Sequence, residues 1–453
     1  MVIFIPYTLM NIKEECSLIT KPKGTYDILP NESREWAKLE DSIRKICKLY
    51  NYKEIRTPIF ESFDVFHRDI NDTSDMVTKE TYDFEDRSKR KITLRPEGTA
   101  GVARSYVENK LYVENPVTKL YYMGQMFRYE RPQKGRNRQF NQFGVEALGS
   151  SSPLIDAEII ALGAALIRAL GLKDVKVKIN SLGDEESRMN YRNVLVKHFS
   201  KYKDSLCPDC LNRLEKNPLR ILDCKVDRHQ EFFKTAPKIN EYLNQESKER
   251  FNIVLSALDS LDLEYEVDEN LVRGLDYYSH TVFELEVNVP EFGAQNVIGA
   301  GGRYDKLISD LGGPQTPGVG MAFGLERLLL ATNLAGKKLV AEDSIHAYFI
   351  ALGEAAQKEA LRLMNICRIG GLSCEMDYLA GGIKSQFKKA DKNNARFTCI
   401  LGDNELAEFK INVKDNQTDE QETISLYDIY PYMLNKINRQ AMSPCSSCKE
   451  KKE

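Results

Sequence analysis

The sequence predicts an α+β fold: a mainly antiparallel sheet core, split by a helical insertion and followed by a small α/β domain. Three observations carry this. Strand-like runs at Tyr121–Tyr129, Phe140–Leu148, Val175–Ile179 and Phe283–Val287 place polar or charged residues between apolar ones. Residues 183–257 are charged, helical in pattern and poor in strand signals. Beyond Asp343 the pattern alternates strand, helix, strand, helix, strand, which argues for a parallel sheet. A chain of 453 residues suits about three domains at roughly 150 residues each.

Taken in order, residues 1–20 read as an N-terminal extension. Met1 to Met10 is apolar but has no basic leader region or small-residue cleavage site, and Lys13, Glu14 and Glu15 follow, so a signal peptide is not expected. The first part of the core spans 21–182. Trp36, Leu39, Ile43, Ile46, Cys47 and Tyr50 recur at three- and four-residue steps and predict a helix from Asn31 to Tyr50. Ser152-Pro153 reads as a cap and first-turn proline, opening an apolar, buried helix that stops at Gly171. In the insertion, 183–257, Tyr191, Val194, Leu195, His198, Phe199 and Tyr202 mark one helix face, with His198 a core-edge residue rather than a ligand. The core resumes over 258–335 and includes a glycine-rich stretch from Gly299 to Gly324 that leads into a helix at Leu325–Asn333. The α/β domain covers 343–436, and 437–453 is a polar tail expected to be disordered.

Hydrophobic residues at 42% and charged residues at 29% describe a globular chain and exclude general disorder. A net charge of -3 excludes indiscriminate polyanion binding, so any nucleic-acid partner must meet a local basic patch. No run of eighteen apolar residues occurs, so no membrane span is expected. Ten cysteines at irregular spacings, without a secretory signal, point to free thiols in a reducing cytoplasm.

The stretch from Tyr121 to Gly149 is the richest in chemistry. Alternate residues of a strand share a face, so Gln142, Gly144 and Glu146 point one way, and Arg128 can join them from the partner strand. Such a face makes a poor core and a good polar ligand site. The loop from Arg128 to Gln139 holds five basic residues and one acidic, which suits a phosphate-rich partner; a solvated hairpin tip would look similar. Glu97 and Thr99 sit at a turn opening a helix from Ala100. Leu271-Val-Arg-Gly-Leu-Asp-Tyr-Tyr278 gathers Arg273, Asp276 and two tyrosines. Gly318 to Arg327 sends a glycine-rich strand into a helix with Arg327 in its first turn. No Gly-x4-Gly-Lys-Ser/Thr is present, and Gly318–Gly324 is one residue too long for Gly-x-Gly-x-x-Gly, so ATP use by a P-loop or Rossmann fold is disfavoured.

Together these segments resemble the histidyl-tRNA synthetases of bacterial type, members of the second synthetase class. Lys21 to Pro30 looks like the family's N-terminal signature, and Tyr52 to Pro58 like class motif one, the dimer-forming element. Phe127-Arg-Tyr-Glu130 through Glu146 is similar to motif two, and Gly324-Leu-Glu-Arg327 to motif three. Leu271 to Tyr278 matches the segment particular to histidine-specific members. The resemblance covers residues 21 to 435 and implies a class II antiparallel catalytic core with an inserted helical domain and a C-terminal α/β anticodon-binding domain.

The resemblance implies an ATP-dependent aminoacyl-tRNA ligase: L-histidine and ATP give histidyl-adenylate and pyrophosphate, then histidine moves to the terminal adenosine of histidine tRNA. Arg128 would hold the α-phosphate, and Arg136 with Arg327 the γ-phosphate. Arg273 would lie across the α-phosphate, where class relatives use metal, and Mg2+ would accompany the pyrophosphate. Arg273 and Arg128 are the implied catalytic pair. Glu97, Thr99 and Gln142 would take the α-ammonium group, Glu146 and Tyr278 the two imidazole nitrogens, and Tyr277 completes the histidine-binding set. Gly301-Gly-Arg-Tyr-Asp305 resembles a second signature lining that pocket. Gln133 and Lys134 would reach the acceptor end of the tRNA, and a homodimer is implied. One departure is Asn141, where many members carry histidine; in the pleat it faces away from Gln142.

The alternative is a catalytically silent paralogue acting as regulatory subunit of an ATP phosphoribosyltransferase. It typically lacks the C-terminal domain and the arginine of the histidine-specific segment, and both are present here. A generic RNA-binding module would leave Glu97, Arg273 and Glu146 unexplained. Cys207-x2-Cys210-x13-Cys224-x4-His229 has Cys3His zinc spacing. Cytosolic thiols packed in a helical insertion are the reading favoured, and no metal ligand is assigned. Cys445 and Cys448, without companion ligands nearby, read as a free-thiol tail.

Overall fold

The computed structural model describes residues 18–68, 75–133, 135–224, 226–272, 277–289, 296–340 and 343–441. Arg273, Asp276, Lys134, Cys445, Cys448 and the stretch Met1–Met10 lie outside them. Contacts divide the chain into two units, 1–340 and 341–453.

The first unit holds strands β1 (Lys53–Glu54), β2 (Phe60–Ser62), β3 (Tyr82–Glu85), β4 (Lys91–Leu94), β5 (Thr118–Phe127), β6 (Gln139–Leu148), β7 (Val175–Ser181), β8 (Tyr265–Val267), β9 (Ser279–Val287), β10 (Val297–Tyr304) and β11 (Gly318–Gly324). Eight of them form one sheet in the order β1-β5-β6-β11-β10-β9-β7-β8; β2-β4-β3 form a smaller one. All pairings between β5 and β7 in that order are antiparallel, and only the edge strands β1 and β8 add parallel neighbours.

One face of the sheet is apolar and carries the main core. Phe143, Val145 and Ala147 of β6 pack there with Val319, Met321 and Phe323 of β11. The helix Pro153–Ala169 lies on this face, capped by Ser152, whose side chain accepts from the Leu154 N–H. Gly171, at φ +83°, follows its last turn in a conformation that favours glycine. The helix Pro30–Leu49 adds Trp36, Leu39, Ile43 and Cys47, the stripe its spacing predicts. The opposite face of β6 is where the polar residues sit.

Between β7 and β8 the described residues form helices and 3-10 turns, among them Glu185–Phe199, Pro208–Lys216 and Gln245–Ser260. They enclose a separate core of Tyr191, Leu195, Phe199, Leu214, Ile221 and Phe233. His198 is half-buried at its edge, its Nε2 2.7 Å from the Phe232 carbonyl, so it is the satisfied core-edge residue the pattern predicts.

The second unit contains β12 (Ala347–Ala351), β13 (Cys374–Met376), β14 (Phe397–Leu401), β15 (Lys410–Asp415) and β16 (Gln421–Ser425), in the order β13-β12-β14-β15-β16. The first three are parallel, as the alternation predicts. The two others add an antiparallel edge that the sequence reading did not include. Its signal is a short alternation in which Ile411 and Val413 are buried between half-exposed neighbours. A second difference concerns the tail: the helix Ile429–Ala441 runs through 438–441, which composition alone marks as polar tail.

Candidate active site

Glu146 is the centre of the polar face. It stands third from the end of β6, is 1% exposed, and faces Gly320 across the β6–β11 pairing. A Cβ at position 320 would lie 1.8 Å from Glu146 Oε2, so only glycine leaves the carboxylate its place. Gly144 does the same for Tyr122, whose hydroxyl would be 2.3 Å from an added Cβ. Two hydroxyls donate to Glu146: Thr99 Oγ1 to Oε1 at 2.7 Å, and the Tyr304 hydroxyl to Oε2. Burial pushes the Glu146 carboxyl up to about 8; the two donors oppose this and the nearby Glu97 adds to it.

Glu97 and Gln142 flank this centre. Glu97 is 4% exposed, and its two oxygens accept from the N–H groups of Thr99 and Ala100 at the start of the helix Thr99–Glu108. That is a carboxylate at a helix N-terminus, where the dipole favours it. Gln142 Oε1 accepts from the Gly98 N–H at 3.2 Å and from the Tyr122 hydroxyl at 3.4 Å. The rings of Tyr277 and Tyr278 meet at a tilt of 53° with centroids 5.0 Å apart, and Tyr277 meets Tyr304 edge-on at 5.7 Å. Gly302 provides the space for Tyr278, which an added Cβ would approach to 2.8 Å. Burial holds the hydroxyls of Tyr122, Tyr277 and Tyr304 protonated well beyond the ordinary phenol range.

A cleft of about 830 Å³ opens here, lined by Glu97, Tyr277 and Tyr278 on one side and by Arg188, Arg192 and Arg220 of the inserted segment on the other. Arg188 donates to the Tyr278 carbonyl, which ties the insertion to the pocket wall.

The arginines lie toward the hairpin loop. Arg128 follows β5 directly; its guanidinium stacks over Phe140 at 5.1 Å and donates to the Pro96 carbonyl at 2.8 Å. Phe140 shares a face with Gln142 and Glu146, so Arg128 does join that face. Arg136 is exposed, with Glu130 3.7 Å away. Arg327, third residue of the helix Leu325–Leu334, donates to the Val297 carbonyl. Burial and then repulsion from Arg136 lower the proton affinity of Arg327, which places two like charges near one another. Gln133 is exposed on the loop and pairs with Arg136 through the backbone.

Sequence reasoning missed several partners. Asn141 faces away from Gln142, as the pleat predicts, but is not idle: its backbone and side-chain nitrogens both donate to Glu326 Oε1, at 2.7 and 3.1 Å. Tyr26 donates to the same oxygen at 2.9 Å, and the Gly24 carbonyl accepts from the Arg138 N–H. Glu326 therefore joins the segment 21–30, β6 and the helix that carries Arg327. Arg303 is 1% exposed and paired with Asp156, which also accepts from Thr281. It braces the helix Pro153–Ala169 against β10, and it is Tyr304 next to it that reaches Glu146. A polar face signals its own residues; nothing in a local pattern signals that Asp156, from an apolar helix, supplies the counter-charge.

A sequence model described as histidyl-tRNA synthetase matches residues 24–184 and 208–328. A second, described as anticodon binding domain, matches residues 346–436. The chain belongs to the histidyl-tRNA synthetase family. Histidine–tRNA ligase 2 of Bacillus cereus is 51% identical over 92% of this chain and 99% of its own length. Histidine–tRNA ligase of Bacillus velezensis is 52% identical over 90% of this chain and 96% of its own. Among solved structures, the apo histidyl-tRNA synthetase of Staphylococcus aureus has a TM-score of 0.79 at 43% identity and covers 92% of this chain and all of its own. The class II core and C-terminal anticodon-binding domain implied by the sequence are thus the fold found.

Proposed function

We propose that this chain joins L-histidine to histidine tRNA at the expense of ATP, with histidyl-adenylate as the intermediate. The observation that carries this reading is the buried Glu146, held by Thr99 and Tyr304, in a chain about half identical to histidine–tRNA ligases over nearly its whole length. An imidazole offers one donor and one acceptor, and a carboxylate beside a phenol reads both. Glu146 and Tyr278 take the imidazole nitrogens, with Tyr277 closing the wall; Glu97, Thr99 and Gln142 take the α-ammonium group. An analogue lacking those groups would leave buried polar atoms unpaired, a discrimination of about 10⁴ or more.

The substrate carboxylate is already a nucleophile, so adenylation needs in-line positioning and positive charge rather than a protein base. Arg128 and Arg273 act on the α-phosphate. Arg136 and Arg327, whose mutual repulsion a phosphate would relieve, take the γ-phosphate, and Mg2+ arrives with the nucleotide as part of the substrate. The basic loop with Gln133 and Lys134 approaches the tRNA acceptor end, and the second unit takes the anticodon. Two copies associate through the segment Tyr52–Pro58, where β1 ends the large sheet; Phe60, in β2, is exposed. Among the described residues no helix is long and apolar enough to cross a membrane, and the proposed location is the cytoplasm.

Nothing observed favours the regulatory-subunit alternative: a solved structure titled as ATP phosphoribosyltransferase regulatory subunit/histidyl-tRNA synthetase is 22% identical and supports likeness of fold alone. The test is aminoacylation. With ATP, [³H]histidine and a histidine tRNA transcript, the enzyme should form ester-linked histidyl-tRNA; a silent paralogue would form none.

A further inference from the structure

The inserted helical segment contains three cysteines that the reaction does not use. Cys207 precedes the helix Pro208–Lys216, Cys210 lies in its first turn, and Cys224 ends the 3-10 turn Pro218–Asp223. Folding brings these three sulfurs together with one carboxylate, that of Asp227, so that all four ligand atoms lie within 4.8 Å of one another. The fourth member is not the histidine of the Cys3His spacing: His229 is exposed and stands outside the group, because the 3-10 turn Asp227–His229 points Asp227 inward instead.

The geometry is that of a closed ligand set. Cys207 Sγ and Cys224 Sγ are 3.8 Å apart. Zinc bound at about 2.3 Å to each of two sulfurs at the tetrahedral angle would put them about 3.8 Å apart. Cys210 and Cys224 are buried, and Asp227 is 3% exposed. Among the described residues no Lys, Arg or His forms an ion pair with Asp227, so its buried charge lacks a cationic partner there. Backbone donors already support the ligands: the Asp227 N–H points at Cys224 Sγ from 3.3 Å, and the Cys207 N–H donates to Asp227 Oδ2 at 3.0 Å. Such supporting bonds fix ligand direction around a metal. Three thiolates select a soft or borderline ion over Mg2+ or Ca2+.

We propose that Cys207, Cys210, Cys224 and Asp227 bind one zinc ion that pins the start of the helix Pro208–Lys216 to the turns at 218–229. The site is structural, since four protein ligands leave no open position for substrate. It is independent of the proposed aminoacylation, and its test does not pass through activity.

The full chain, purified without added metal or chelator, should contain about one equivalent of zinc per chain by mass spectrometry. The double variant Cys445→Ser/Cys448→Ser should keep it, and Cys210→Ser should lose it. Asp227→Asn, which leaves all three thiols, should retain zinc but release it to a chelator at least about tenfold faster. Protein stripped of zinc and refilled with cobalt(II) should show the intense visible bands of tetrahedral thiolate coordination. Less than half an equivalent in the wild type together with no such cobalt bands would overturn the proposal. Zinc that disappears with the tail cysteines would also overturn it, as would a Cys207–Cys224 disulfide recovered by non-reducing peptide mapping.

Discussion

Glu146 is pulled in two directions, and its behaviour with pH exposes this. Its folded value, pushed by burial up to about 8, lies above the ordinary 4.5, so the protonated form is favoured. A raised folded value contributes stability that is complete below 4.5 and is lost as pH rises through 8. Glu146→Gln should therefore melt progressively higher than the wild type as pH increases across that window, measured without ligand. The same change removes a charged acceptor for imidazole and should lower histidine kcat/KM by about 10²-fold. A variant that gains stability while losing histidine use would separate this carboxylate from ordinary core residues. For the phosphates, Arg327→Ala should reduce histidine-dependent ATP–pyrophosphate exchange by about 10²-fold or more, because charge complementarity at the transferring group is lost. At this scale the pairing of Gln142 with Glu146 was readable from strand alternation. Tyr304 stood within the 301–305 signature, but its bond to Glu146 was not readable, because it depends on which strands become neighbours; Tyr122, which donates to Gln142 within the β5–β6 hairpin, was not singled out.

Strands and their crossings turn those residues into a pocket. β6 lies between β5 and β11, with Gly320 of β11 opposite Glu146 and Gly124 of β5 opposite Gln142. Gly320→Ala should displace Glu146 and cut histidine activation by at least about 10²-fold, as an ångström of misplacement can. Circular dichroism should remain that of the wild type if the loss is one of positioning. The hairpin β5–β6 was legible from its two runs, and its register extends from Thr118 opposite Leu148 to Phe127 opposite Gln139. The link through Glu326 was not legible: it joins Tyr26, Asn141 and the helix of Arg327, segments up to 300 residues apart. Its removal by Tyr26→Phe should cost about 1 kcal/mol of stability, readable in a denaturant titration.

Over the whole molecule, the catalytic sheet, its insertion and the C-terminal unit were recognisable from composition shifts and strand–helix order. What escaped was the buried ion pair that fastens the sheet to its longest apolar helix. Arg303→Met removes the close counter-charge of Asp156, leaving only Arg250 at 4.0 Å, and should destabilise the first unit by about 3 kcal/mol, seen as an earlier melting transition. Such brackets are hidden in sequence, because an aspartate in an apolar helix and an arginine in a glycine-rich strand each look like exceptions. The near-neutral charge of the chain also makes sense at this scale, with basic side chains gathered on the hairpin loop and in the cleft. The most direct measurement is ATP–pyrophosphate exchange screened over all twenty amino acids. L-histidine alone should support exchange; no exchange at all, or exchange with another amino acid in its place, would contradict the account.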